Sequence, residues 1–261
     1  MRITNDFLHS LMLKFISKTF LRKRETVKGS WNYEKTVTIS FDCDYAQDMI
    51  TCAKIMKTLN LYDIKASFAL TGKLVKEFPA VVESIIANEH EIINHTYNHY
   101  PEFRSLSSDK KLQEISSFQN LIKDNFGSKI MGFRAPHLRQ GKQKDLFEIL
   151  KKLCLFDSSL IGYGVQKLDD VLEIPLTAFP EFKNLPFCTY HHFRMPLLSA
   201  SQNSFMNRWK RLLTQQDFIN VYLDPIDFAS SNRLLTDLIK VALAYDFTFC
   251  KLKDISRRLN S

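Results

Sequence analysis

Apolar and β-branched positions alternate through Lys35-Thr-Val-Thr-Ile-Ser-Phe41, the pattern of a short β-strand. A helical pattern follows from Met49 to Leu59. The same change of period then repeats. Ile64 to Gly72 reads as a strand, and about 74–87 as a helix. His90 to Asn94 reads as a strand, and about 109–124 as a helix closed by Gly127. Lys129 to Phe133 predicts a strand, about 145–153 a helix, and Phe156-Asp157 another strand end. From Leu172 to Leu198 the prolines 175, 180, 186 and 196 argue against helix. A helix is expected over 203–213, a buried strand over Phe218–Leu223, a helix over 232–245 and a last short strand over 247–250. Strands that alternate with helices predict an α/β protein with a parallel sheet or barrel.

Residues 5–21 place Leu8, Leu11, Met12 and Phe15 on one helical face. The run is interrupted by charge and too short to span a bilayer. Its basic cluster (Arg22, Lys23, Arg24) follows the apolar run, the reverse of a signal peptide, so a cytoplasmic location is expected. Three readings are open: residues 5–24 touch a membrane face, the helix packs on the side of the domain, or the segment is a mobile terminus. The expected division is an N-terminal amphipathic and basic extension, 1–34, and one domain, 35–261.

At 261 residues with 45% hydrophobic content, the chain can bury a full core. Its five cysteines form no CxxC pair, so neither a zinc knuckle nor a disulfide framework is suggested. The net charge of +8 suits a phosphate-bearing or anionic partner. No nucleic-acid motif accompanies it, so no nucleic-acid partner is expected.

Candidate chemistry collects at strand ends, the rim where β/α proteins build their sites. Asp42 and Asp44 are two apart and share a side if the strand persists. Two carboxylates that close bind a cation or share a proton. Cys43, between them, points into the wall as packing, and Asp48 is a helix cap. His95 and His99 are four apart and can share one metal ion on a helical turn. Arg134, in Arg-Ala-Pro136, can hold a carboxylate, and Asp157 can hold Arg134 in turn. Trp31 and Trp209 are read as core or interface.

The ordered motifs Ser40-Phe-Asp-Cys-Asp44, Ala66-Ser-Phe-Ala-Leu-Thr-Gly72, His90-Glu-Ile-Ile-Asn-His-Thr-Tyr-Asn-His99, Phe133-Arg-Ala-Pro136 and Phe156-Asp-Ser-Ser159 resemble the polysaccharide deacetylase family, also called NodB-homology or carbohydrate esterase family 4. The later Tyr190-His-His-Phe-Arg-Met-Pro196 and Val221-Tyr-Leu-Asp-Pro-Ile-Asp227 resemble members from O-antigen and exopolysaccharide clusters. The resemblance implies a distorted (β/α)7 barrel. It implies a divalent metal, usually zinc, on Asp44, His95 and His99. Asp42 corresponds to the base that takes a proton from the attacking water. Arg134 corresponds to the residue that orients the base, Asp157 to its acidic partner, and Thr96 to the hydroxyl that steadies the His loop. Pro136 and His137 fall on the substrate side. A backbone N–H near Tyr45 would join in stabilising the oxyanion. The implied substrate is an N-acetylated sugar, nucleotide- or lipid-linked if the reaction is cytoplasmic.

One departure stands out. Where the family ends a strand with His-Pro, and that His protonates the leaving amine, this chain has Asp224-Pro225. Three readings follow: another histidine serves (His137, or the surface loop pair His191 and His192), the leaving group needs little help, or activity is lost. The alternatives to a sugar deacetylase are a hydrolase of another non-peptide C–N bond, such as a cyclic amide, and a degenerate carbohydrate-binding protein.

Overall fold

The computed structural model describes residues 5–19, 26–138, 144–194 and 201–260. In chain order the first half runs α1 (Asn5–Thr19), β1 (Thr26–Lys28), β2 (Thr36–Cys43), α2 (Ala46–Leu61), β3 (Ser67–Leu70), α3 (Gly72–Glu77), α4 (Pro79–Ala87), β4 (Glu91–Asn94), α5 (Ser108–Phe126), β5 (Gly132–Phe133) and α6 (Lys144–Lys152). Then come β6 (Phe156–Asp157), β7 (Ile161–Tyr163), β8 (Gln166–Leu168), β9 (Val171–Glu173), β10 (Leu176–Thr177), α7 (Thr189–Phe193), α8 (Gln202–Gln215), β11 (Phe218–Leu223), α9 (Arg233–Ala244), β12 (Thr248–Phe249) and α10 (Leu252–Asn260).

The main sheet runs β11-β2-β3-β4-β5-β6-β9-β8, with β12 also paired to β2. Every pairing is parallel except β8 with β9. The sheet curls with its helices outside, and the fold is a single-domain α/β protein of the distorted-barrel kind. β2 lies between β11 and β3 and all eight of its residues are buried, as expected of a parallel strand covered on both faces. Its outer side chains Val37, Ile39, Phe41 and Cys43 join the main core with the inner faces of α2, α8 and α9. Its inner side chains Thr38, Ser40 and Asp42 are polar and line the barrel interior. There Asn220 on β11 accepts from Thr38 Oγ1 and donates to Ser158 Oγ and the Ile174 carbonyl. One amide thus ties three strand ends across the interior.

Several local expectations shift. The helix expected over about 74–87 breaks into α3 and α4 at Phe78, because Pro79 has no N–H to continue the ladder. The Pro-rich stretch, expected to lack helix, contains the one-and-a-half turns of α7. Four short strands over 161–177 carry too few residues each to show a period, and β1, β7 and β10 pair as a separate small sheet. Trp209 is buried and donates to the Leu238 carbonyl, so it is core; Trp31 packs on Phe218 and Tyr33.

α1 lies against the domain, with His9 and Leu13 fully buried. Leu11 and Phe15 are exposed on its other side. Among the described residues no helix is long and apolar enough to cross a membrane. Residues 20–24, with the basic cluster, lie outside the described residues.

Candidate active site

β2 carries Asp42 to the carboxyl rim and delivers Asp44 one step beyond it. The turn is made by Asp48, whose Oδ2 accepts from the backbone N–H of Asp44 at 3.0 Å and of Tyr45 at 2.9 Å. Its Oδ1 accepts from Ile226 N, just past β11. Asp48 is therefore more than a helix cap: it ties the β2 turn to the β11 turn. The Tyr45 N–H expected at an oxyanion is donated to Asp48 instead, because the strand-to-helix turn needs it as a cap. Tyr45 does line the site, through a side chain that is 62% exposed.

β4 ends at Asn94 and delivers His95 and His99. They do not sit on a helical turn. Thr96 and His99 both have positive φ, 65° and 56°, in a tight loop. Side chains pin it. Asn94 Oδ1 accepts from Thr96 N, Thr96 Oγ1 accepts from His99 N, and Glu114 on α5 accepts from Asn98 N and Nδ2, both at 2.7 Å. Glu114 has no signal in the sequence beyond lying on a helix. Gly72 completes the support: Gly72 N and Lys73 N donate to the Thr96 and Tyr97 carbonyls, and the Tyr97 ring lies over the glycine. A Cβ there would stand 2.4 Å from Tyr97 Cδ2. Gly72→Ala is expected to lower stability by about 2 kcal/mol and to weaken metal retention through the displaced loop. A thermal melt beside a metal titration checks this; unchanged affinity would show that the loop absorbs the methyl.

The Nε2 atoms of His95 and His99 stand 3.3 and 3.2 Å from Asp44 Oδ1. His95 Nδ1 lies 2.8 Å from the Arg134 carbonyl. A carbonyl only accepts, so Nδ1 carries the proton and Nε2 turns its lone pair inward. Asp44 Oδ1 and His99 Nε2 are buried with no hydrogen-bond partner. Burial pushes the Asp44 carboxyl up, but His95, with the charges of His99 and His137, outweighs it and holds the group at about 2. Burial, then the charge of His95, pushes His99 down to about 3. A carboxylate and two imidazoles, converging within 4.8 Å of one another, are the donor set of a zinc-like divalent ion. The residues fit the cofactor that the motifs imply.

Arg134, fully buried, reaches Asp42 Oδ1 through Nη1. It is itself held by Ser158: Nε donates to the carbonyl at 3.0 Å and Nη2 to the hydroxyl at 3.1 Å. The expected partner Asp157 sits one residue away and accepts from Ser159 Oγ, whose oxygen also receives the Ala135 N–H. It therefore braces the strand end that carries Arg134. Glu173 packs behind it, its pKa driven well up by burial and by the Asp157 charge. Pro136 is buried and turns the chain into His137, whose φ is 54°. The His137 ring lies 4.8 Å from that of His99.

Asp42, Asp44, His95 and His137 meet in one recess of about 250 Å³, lined also by Tyr190, Arg194 and Asp224 among others. Asp224 ends β11. Its N–H donates to Thr189 Oγ1, and Arg194 Nη2 lies 2.7 Å from its Oδ2. Arg194 also reaches Asp227 at 3.0 Å, so two acids share one cation. Burial pushes Asp224 up to about 8; Arg194 pulls it down, while the charges of Asp227 and Asp42 push the same way as burial. His191 and His192 are not a surface loop pair. His192 is fully buried, and His191 lines the recess with Nδ1 2.9 Å from Cys188 Sγ.

A curled parallel sheet with an Asp-His-His cluster and an Asp–Arg pair on one rim defines a class, the α/β barrels that carry an acid- and histidine-lined site at their carboxyl end. Within it, residues 31–155 match the model of the polysaccharide deacetylase family. A peptidoglycan-N-acetylglucosamine deacetylase of Bacillus cereus is 26% identical over 181 residues, 63% of this chain and 63% of that protein. A peptidoglycan-N-acetylmuramic acid deacetylase of Bacillus subtilis is 27% identical over 84 residues, 32% of this chain and 31% of that one. The chain thus spans less than two thirds of either relative. A polysaccharide deacetylase candidate from Mycobacterium smegmatis shares the fold with a TM-score of 0.75 at 15% identity, over 91% of this chain and 95% of its own. A carbohydrate esterase family 4 pseudoenzyme from Bacillus anthracis superposes with a TM-score of 0.64 at 16% identity, over 89% and 69%.

Proposed function

We propose that this protein is a metal-dependent N-deacetylase of an amino sugar in surface-polysaccharide (O-antigen or exopolysaccharide) synthesis. The observation that carries the reading is the convergence, on one rim, of the Asp44-His95-His99 cluster and the buried Asp42–Arg134 pair, with Asp42, Asp44 and His95 lining one recess. Asp44, His95 and His99 would hold a divalent ion, with zinc the best fit to these donors, which when bound would supply Lewis-acid chemistry and a lowered pKa for water. Asp42, paired with the buried Arg134, takes the proton from the attacking water. The C–N bond of the acetamide breaks, giving acetate and a free amine. Asp224 carries the proton that the leaving nitrogen needs. Burial, with the charges of Asp227 and Asp42, keeps that proton on the carboxyl at neutral pH against the pull of Arg194, so an aspartate can serve where the family uses histidine. Tyr45 and Tyr190 flank the mouth, and their exposed rings suit stacking on sugar faces.

The nucleotide- or lipid-linked form of the sugar, and a cytoplasmic place of action, remain part of this proposal, supported by the net charge of +8. The second reading, a degenerate carbohydrate-binding protein, is favoured by the replaced histidine at position 224. The test is acetate release by zinc-loaded protein from N-acetylglucosamine oligomers, UDP-linked N-acetylhexosamines and polyprenyl-linked N-acetylhexosamines. Acetate from any of them supports the enzyme. Saturable sugar binding without acetate from any would move the assignment to the binding protein.

A further inference from the structure

α1 lies outside the stretch that matches the family, yet it is fixed to the wall of the recess. His9 Nε2 lies 3.0 Å from the carbonyl oxygen of His191. That oxygen only accepts, so Nε2 carries the proton and donates. His191 belongs to α7, a helix of five residues. The last carbonyls of a helix lack partners within it, and His9 supplies one from another element. The His9 ring also meets the His192 ring edge-on at 5.1 Å. The next residue, Ser10, accepts from Arg208 on α8 at 2.7 Å, and Arg208 Nη1 lies 3.5 Å from His192 Nδ1. Leu13, one turn on from His9, is fully buried in the main core.

α7 in turn governs the acid side of the recess. Thr189, at its start, accepts the Asp224 N–H and sits 3.4 Å from Asp224 Oδ2. Arg194, just past its end, clamps Asp224 and Asp227. The contacts therefore run without a break from His9 to α7 and from α7 to Asp224.

We propose that α1 is a positioning arm for the deacetylase site: His9 holds α7 so that Thr189 and Arg194 keep Asp224 aimed at the leaving nitrogen. The chemical half rests on the function proposed above; the mechanical half does not. A loss of aim at the acid slows only reactions whose leaving group needs a proton. An acetamide does, and the nitrophenolate of 4-nitrophenyl acetate does not.

The experiment compares His9→Ala and His9→Gln with the unaltered, zinc-loaded full chain. Gln retains an N–H that can reach the same carbonyl. In His9→Ala, amide hydrogen exchange over residues 189–194 is expected to quicken about tenfold while β2 to β4 are unchanged. Turnover on an N-acetyl sugar is expected to fall about tenfold further than turnover on 4-nitrophenyl acetate. His9→Gln is expected to restore most of both. Unchanged exchange over α7 in His9→Ala overturns the arm. Faster exchange with an unaltered amide-to-ester ratio also overturns it, and leaves α1 a structural clamp. If the unaltered protein releases no acetate from any amide, the proposed function has failed by itself. The exchange measurement and its rescue by Gln then still decide whether His9 holds α7.

Discussion

Replacing Asp44 or His95 with Ala is expected to leave a folded protein that no longer retains zinc and releases no acetate above background. Each is one of the three protein ligands found among the described residues, so losing one leaves two for an ion that takes four donors. Even partners one step removed from a metal change affinity 10–100-fold, so losing a ligand itself is expected to cost more than about a hundredfold. The folded state should survive. Asp44 is only partly buried, and the backbone of its turn is held by Asp48 rather than by its own side chain. His137→Ala is the control. Its ring lies 4.8 Å from His99, but it is outside the converging set, and it should retain the ion. Metal content after dialysis, measured for all three variants and the unaltered chain, gives the answer without knowledge of the sugar. Full retention in Asp44→Ala would place the ion elsewhere and sink the proposed mechanism.

The second large effect is expected at Asp224. General acids contribute roughly 10²–10⁴ in rate, so Asp224→Asn should lower turnover on an N-acetyl sugar by about a hundredfold or more. Turnover on 4-nitrophenyl acetate should change far less. The pH profile of the unaltered enzyme carries the same signature. Asp224 donates only while protonated, and burial raises it to about 8 despite Arg194. Activity on amides should therefore persist through neutral pH and fall as pH rises past about 8. In Asp224→Asn that alkaline fall should vanish along with most of the rate. Asp224→His should retain or raise activity if the position works as the family's acid does. Equal losses of amide and ester turnover in Asp224→Asn would instead mark a structural role, through the clamp on Arg194.

The alternation of strands and helices, and with it a parallel sheet or barrel, was readable from period alone; the distorted barrel came from the family resemblance. Strands such as Thr36–Cys43 and Phe218–Leu223 are long enough to show their pattern, and helices such as Ser108–Phe126 carry their own caps, Ser107 and Gly127. The short strands over 161–177 were not readable, because two or three residues cannot display a period. Nor was α7, where the prolines around it signalled loop.

At the site, the order and spacing of Asp42, Asp44, His95, His99 and Arg134 singled out the groups that the fold gathers on one rim. Parallel strands end on the same side, so strand-end residues meet whatever lies between them in the chain. What the sequence did not determine is how those groups are held. Asp48 joins two turns 178 residues apart. Glu114 pins the histidine loop from another helix, Ser158 rather than Asp157 grips Arg134, and Asn220 closes the barrel interior. Ser, Asn and Glu are common on any surface, and only long-range packing distinguishes a bracing hydrogen bond from a solvated one. The same holds for protonation. Asp224 reads as an ordinary acid along the chain, and only its burial beside Asp227 and Asp42, against the pull of Arg194, gives it a proton to donate at neutral pH. Linear spacing sets which groups reach the rim; desolvation and partners from distant elements set their charge, and those exist only once the chain has folded.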